Sequence, residues 1–414
     1  MNPRDQSLAD FHHGHDTDPL RAPADFVAWR AASPREQALF RRPVLGPTGP
    51  RTLVQTEQGP RSVLNLASLD YLGLNAHPGV AAAIGDAVQT WGTGACGVPM
   101  LTGTTALHRA LEADVAALCG REAATLFTSG FAGGTGLMSA LLRRGDVAIA
   151  DEKAHMCWMD GVRQSGARLA TFSHEDPADL DRVLTRHRDA RRLVVVDGLY
   201  SMDGDVADLP ALLEVCDAHG VGLIVDEAHS MFAIGEHGGG VVEAQGVGER
   251  VRLHFGTFSK ALSQVGAFGA ADADLIDYAR MYAHPFVFSA AMPPAQVAGI
   301  RAAIQVVRDE PQRRAALAEN AAYFRAQLAG MGLDIGPGHT HVVPIIVGDD
   351  RELLFGGALA MLERGLYVVP IDYPAVPEDA LRFRTAVTAT HSRADLDEAL
   401  SILEDCVARP LRAR

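Results

Sequence analysis

From about residue 61 onward, short apolar runs alternate with stretches whose apolar positions recur at helical spacing, the pattern of a parallel sheet wrapped by helices. The clearest strands are predicted at 124–127, 146–150, 193–196, 223–225 and 253–255. Each is followed at once by polar or glycine-rich residues, and an open α/β sheet builds its ligand sites beyond the carboxyl ends of its strands. Met292-Pro-Pro-Ala-Gln296 predicts the start of a long amphipathic helix running to about Ala329. A smaller α/β domain is therefore expected over 296–414, after a large domain over 61–295 and an N-terminal tail and arm over 1–60. The first twenty or so residues are polar and without periodicity, which predicts a mobile tail. Its cluster Phe11-His-His-Gly-His15 has no spaced carboxylate or cysteine to complete a metal site, so no metal is expected.

Bulk properties narrow the classes. At 414 residues the chain is long for one core, which agrees with a division into two domains. Its 48% hydrophobic and 21% charged residues are ordinary for a soluble globular protein. The net charge of −14, from 37 basic and 51 acidic residues, gives no field that gathers nucleic acid. Five scattered cysteines form no C-x-x-C pair, so neither a disulfide framework nor a structural zinc is expected, and a reducing cytoplasm fits best. No run of about 20 apolar residues is present and no secretory signal pattern opens the chain, so neither a membrane span nor export is expected.

Candidate chemistry begins with Phe255-Gly-Thr-Phe-Ser-Lys-Ala261, a strand end running into a turn that sets hydroxyls beside a lysine. A lysine that forms imines must lose its proton readily, as burial beside a polarised cofactor allows. Thr257 and Ser259 can donate to a phosphate. The chain has few lysines to choose from, although by itself Lys260 also fits an ordinary surface position after a strand. Val221-Gly-Leu-Ile-Val-Asp-Glu-Ala-His-Ser230 is a buried-type strand that delivers Asp226, with His229 three residues later. Such a carboxylate keeps a pyridine nitrogen protonated and the ring an electron sink, and His229 can reach the ring's phenolic oxygen. A nucleotide-hydrolase reading of D-E-A-H needs a phosphate loop ending in Gly-Lys-Ser/Thr, which the sequence lacks.

Leu126-Phe-Thr-Ser-Gly-Phe-Ala-Gly-Gly-Thr-Gly136 is a strand, a turn of small residues and a helix start, where unobstructed N–H groups make a phosphate seat. Ser129, Gly130 and Phe131 are the expected donors; a purely structural glycine turn is the alternative. His155, in Asp151-Glu-Lys-Ala-His155, can stack on a pyridine ring or lie on a surface turn. Ser201, in Asp197-Gly-Leu-Tyr-Ser-Met-Asp-Gly-Asp205, is a candidate for the polar edge of that ring.

In this order, S-G-F-A, D-E-x-x-H, D-G-x-Y-S-M-D-G-D, D-E-A-H-S and G-T-F-S-K-A resemble the α-oxoamine synthase family. The resemblance extends to Asp70-Tyr-Leu-Gly-Leu74, Gly103-Thr-Thr-Ala-Leu-His-Arg-Ala-Leu-Glu112 and Arg382-Phe-Arg384, so it spans about residues 60–400. It implies a fold-type-I pyridoxal-phosphate (PLP) enzyme, a homodimer with sites at the subunit interface. Carried over, Lys260 is the Schiff-base lysine, Asp226 the partner of the pyridine nitrogen, His229 the contact of the ring hydroxyl and His155 the stacking histidine. Gly130, Phe131 and Thr257 hold the phosphate, and Arg384 takes the amino-acid carboxylate. Arg382 and Arg384 share one face of an alternating strand, so either can reach inward, and a solvated edge-strand pair is the alternative. The implied reaction joins an amino-acid carbanion to an acyl thioester from coenzyme A or a carrier protein, with loss of carbon dioxide.

Three departures from the family bear on substrate. Leu69 replaces a polar residue before Asp70. Val98, Pro99 and Met100 make an apolar stretch near the family's acyl pocket, where arginine is common. Ala290 stands where a threonine usually reaches the partner's phosphate, leaving Ser289 as the available hydroxyl. Neutral drift and a changed substrate both accommodate these differences. A non-thioester electrophile, a plain aminotransferase and a catalytically degenerate partner subunit are the competing functions, the last opposed by intact Lys260, Asp226 and His229.

Overall fold

The computed structural model describes residues 6–11, 18–33 and 39–413. His12, His13 and His15 of the N-terminal histidine cluster lie outside the described residues. The chain divides into two compact units: residues 69–201 with 205–315, and residues 1–68 with 202–204 and 316–414.

The smaller unit holds β1 (Arg51–Thr56) and β2 (Gly59–Asn65), an antiparallel hairpin. The larger unit is built on seven strands: β3 (Ala123–Phe127), β4 (Val147–Asp151), β5 (Arg168–Phe172), β6 (Arg192–Asp197), β7 (Gly222–Asp226), β8 (Leu253–Thr257) and β9 (Ala267–Ala271). Their order is β3-β9-β8-β7-β6-β4-β5. Only β9 runs against the others, pairing antiparallel with both β3 and β8, so the sheet is mixed but largely parallel, as expected. The five expected strands are all present, with ends shifted by one or two residues.

Two layers of helix explain the unbroken apolar runs. Side chains alternate along a strand, so Ala148, Ala150, Val195 and Ile224 enter one core, with the helices Gly130–Leu141 and Met156–Ser165. Val147, Ile149, Val194, Val196, Leu223 and Val225 enter the other, with Pro177–Arg186 and Leu209–Ala218. Both faces are covered, so no polar alternation survives in the central strands.

The single long helix expected from Met292 is two helices, Pro294–Asp309 and Gln312–Gly330. Pro311 separates them, because it can offer no amide to the preceding turn. The first packs on the helix Pro78–Trp91 and belongs to the larger unit. The division therefore falls after Ala315, where 295/296 was expected.

The smaller unit continues with β10 (Val342–Gly348), β11 (Leu366–Tyr367), β12 (Val369–Ile371) and β13 (Leu381–Ala386). They complete two three-stranded sheets, ordered β1-β2-β11 and β10-β13-β12, so segments from the two ends of the chain share this unit.

Candidate active site

The ends of β4, β6, β7 and β8 and the start of the helix Gly130–Leu141 enclose a cavity of about 190 Å³ in the larger unit. Its lining includes Gly130, Phe131, His155, Asp226, His229, Thr257, Ser259 and Lys260, eight residues expected from sequence. Asp197, Cys157, Leu199, Ala228 and Phe255 complete it.

Asp226 ends β7 and is 3% exposed. Its Oδ2 accepts from the Trp158 indole at 2.8 Å and its Oδ1 from the Ala228 amide at 2.9 Å. Burial pushes its pKa up, while Lys260 and His155 pull the other way. Strand register sets Asp197 of β6 directly beside it. Burial, then the Asp226 charge, holds the Asp197 carboxyl well above its usual range. Two adjacent buried carboxylates call for cationic company.

His155 precedes the helix Met156–Ser165 and caps it, its Nδ1 accepting from the Cys157 amide at 3.3 Å. Its own amide donates to Asp197 Oδ1 at 3.2 Å, which ties the β4 turn to the neighbouring strand. The imidazole is open to the cavity, yet the protein around it lowers its pKa, opposed by Asp226. His229 is buried, with Nδ1 at 2.7 Å from the Tyr71 hydroxyl.

Across the cavity, Ser129 caps the helix Gly130–Leu141 by accepting from the Ala132 amide at 3.2 Å. Ser129, expected as a phosphate donor, is not in the cavity lining, and the amides of Gly130 and Phe131 are the first-turn donors without an intrahelical acceptor. Gly130 is required by proximity, since a Cβ there would lie 2.7 Å from Thr257 Cγ2. The buried Thr257 hydroxyl has no hydrogen-bond partner among the described residues. An orphaned hydroxyl, two first-turn amides, a lysine and a buried carboxylate suit a cofactor with an anionic end and a basic ring nitrogen.

Other expected residues are not in this cavity. Ser201 is absent from its lining; Ser289, expected at the partner subunit's phosphate, is half-buried and Ala290 exposed. Pro99 lines a separate, water-sized space with Thr104, His108, Phe127 and Met292. Met100 is 38% exposed, and Val98 and Leu69 are partly buried, none of them in the lining. Arg382 and Arg384 lie on β13 in the smaller unit, the middle strand of its sheet and not an edge. Arg382 is spent: buried, it pairs with Asp203 at 2.5 Å and donates to the Met202 carbonyl at 3.1 Å. Arg384 makes no ion pair with a described residue.

Sequence reasoning passed over Asp197, Trp158 and Tyr71. Asp197 left a signal, because two neighbouring apolar strands each end in aspartate. Trp158 left none, since its link to Asp226 spans 68 residues.

A match to the family model for aminotransferase class I and II covers residues 61–403. The chain belongs to that family. It is 42% identical over 359 residues to an 8-amino-7-oxononanoate synthase of Anaeromyxobacter dehalogenans (strain 2CP-1 / ATCC BAA-258), covering 87% of this chain and 90% of that one. To the 8-amino-7-oxononanoate synthase of Bacillus pumilus (strain SAFR-032) it is 38% identical, over 83% of this chain and 88% of that one. The serine palmitoyltransferase of Sphingomonas wittichii superposes with a TM-score of 0.90 at 30% identity, covering 96% of this chain and 99% of that one. A further serine palmitoyltransferase structure, solved with PLP, gives 0.90 at 29% identity over 96% and 100%. These relatives place the chain among the α-oxoamine synthases, within the fold-type-I architecture.

Proposed function

We propose that this chain is a PLP-dependent acyltransferase that condenses an amino acid with an acyl thioester, releasing thiol and carbon dioxide and leaving an α-amino ketone. The observation that carries this reading is the cavity in which Lys260, Asp226, His229 and the Gly130 helix start converge, in a chain whose relatives are named for such condensations. PLP, when bound, supplies a ring that delocalises the electron pair left at the amino acid's α-carbon.

The chain's residues do the rest. The amides of Gly130 and Phe131 and the hydroxyls of Thr257 and Ser259 would hold the phosphate. Asp226, buried at the end of β7, would keep the ring nitrogen protonated, and its Trp158 and Ala228 bonds keep it aimed. His155 would flank the ring and His229 would contact its oxygen. Lys260 would hold the cofactor through its Nζ, and its amine is the base that would take the α-proton. The family resemblance assigns Arg384 the amino-acid carboxylate. The larger unit is the cofactor domain.

A homodimer agrees with a run of exposed apolar side chains in that unit: Leu101, Val265, Met281, Tyr282 and Phe288. The segments 99–103, 273–282 and 284–288 that carry four of them touch in series, and contiguous apolar surface marks an interface. Five free cysteines fit a cytoplasmic location, and among the described residues no helix is long and apolar enough to cross a membrane.

The deciding experiment supplies PLP-loaded protein with small amino acids and a panel of acyl thioesters and measures thiol release. One pair is expected to release thiol and carbon dioxide in equal amounts, and Lys260→Ala to abolish both. No thiol from any pair overturns the proposal.

A further inference from the structure

Two residues of the Asp70-Tyr-Leu-Gly segment, in the larger unit, bond behind the cavity's lining, Asp70 to the turn after Lys260 and Tyr71 to His229. Asp70 is 8% exposed and Tyr71 fully buried. Oδ1 of Asp70 accepts from the Leu74 amide at 2.7 Å and from the Ser263 hydroxyl at 2.5 Å, and Oδ2 from the Asn75 amide at 3.3 Å. Ser263 lies three residues past Lys260 and closes its turn, donating its amide to the Lys260 carbonyl at 2.8 Å. Its φ is +55°, a conformation that a residue with a Cβ keeps only when its surroundings hold it there. The Asp70 carboxylate, which accepts from its hydroxyl, helps hold it there. Arg313 secures the segment from behind, donating to the Leu72 carbonyl at 3.0 Å. The next residue, Tyr71, takes Nδ1 of His229 at 2.7 Å, a bond that fixes the ring's orientation and tautomer.

We infer that Asp70 and Ser263 are positioning residues that lock the backbone turn presenting Lys260, while Tyr71, on the same segment, locks the ring of His229. The inference rests on the assignment of Lys260 and His229 under the proposed function. A displacement of about 1 Å in a reacting group costs orders of magnitude in rate, so a buried carboxylate on this turn has a use beyond stability. Burial raises the pKa of Asp70, and Ser263, Leu74, Asn75 and Arg313 pull it down.

The chain offers a direct readout, because it has just two lysines, Lys153 and Lys260. In cofactor-free protein, trace reductive methylation with formaldehyde and cyanoborohydride, read by mass spectrometry across a pH series, gives Lys260 labelling with Lys153 as internal standard. In Ser263→Ala, which removes only the hydroxyl, the Lys260:Lys153 ratio is expected to change by at least about threefold and its pH midpoint to move, as loss of a bond to a charged acceptor requires. Asp70→Asn is expected to change both in the same direction; if that variant fails to fold, Ser263→Ala decides alone. Ratios and pH profiles that superimpose on those of the parent protein overturn the inference. Absence of a visible band near about 420 nm when PLP is added to the parent protein overturns the proposed function instead, and the labelling comparison still tests the lock.

Discussion

Both ring nitrogens of His174 meet carboxylates: Nδ1 lies 3.0 Å from Asp151 and Nε2 2.6 Å from Asp205. Its burial favours the neutral ring, but the two carboxylates outweigh it and raise the pKa to about 9. Glu175 joins His174 and Asp205 in the one described group with metal-ligand spacing, yet the imidazole there already serves as a cation between acids. Folded above unfolded pKa means the stabilisation is complete below about 6.5 and lost as pH rises through about 9. In denaturant titrations, the parent is expected to lose roughly 1–3 kcal/mol more than His174→Gln between pH 6.5 and 9.5. Parallel pH profiles for the two proteins would refute it. Residues of this kind were only partly legible. Lys260, Asp226 and His229 stand in short motifs whose spacing carries their chemistry, and the structure brings them to one cavity. Asp197, Trp158 and Tyr71 act on residues 29 to 158 positions away, which no local pattern records.

The helices Gly130–Leu141 and Met156–Ser165 approach closely through small residues. A Cβ at Gly161 would lie 2.7 Å from Met138 Cβ and 2.9 Å from Thr135 Cα, so backbone and not a flexible tip would have to yield. Gly161→Ala is expected to lower stability by about 1–3 kcal/mol by overpacking, despite alanine's better helix propensity. Because the two helices present Phe131 and His155 to the cavity, the same variant should weaken PLP binding, measured by equilibrium dialysis. An unchanged unfolding midpoint would show that the contact is looser than described. Among elements, the central strands were readable from apolar runs, since burial on both faces imposes them. β9, Ala-Phe-Gly-Ala-Ala, escaped because alanine and glycine carry little strand signal and its place between β8 and β3 is set by packing, with Gly269 against Leu137. β5 escaped because it is half-exposed at the sheet edge.

Each unit carries a buried histidine kept neutral by its surroundings: His254 in the larger and His391 in the smaller, both with pKa lowered to about 4, chiefly by burial. Folded below unfolded pKa means that between pH 6.5 and 4 the unfolded chain takes up protons that the folded chain refuses, so stability falls with falling pH. Each contributes up to roughly 3 kcal/mol to that loss. With the alkaline loss from His174, the stability of the whole chain is expected to peak near neutrality. Guanidinium titrations at pH 7 and 4.5 test this: His254→Asn and His391→Asn should each flatten the acid limb, and an unaltered limb in both would count against it.

The sequence alone determined the class of sheet, the lysine and the acidic strand end, because burial periodicity and short catalytic motifs are local properties of a chain. Tertiary structure decided which carboxylates are neighbours, since strand order places β6 beside β7 although 24 residues separate them. It decided too that Arg382 is consumed by Asp203 while Arg384 is not, and that Ser201 and Pro99 lie outside the cavity. Proximity between distant residues is a product of packing, and packing is written in no single stretch of the chain.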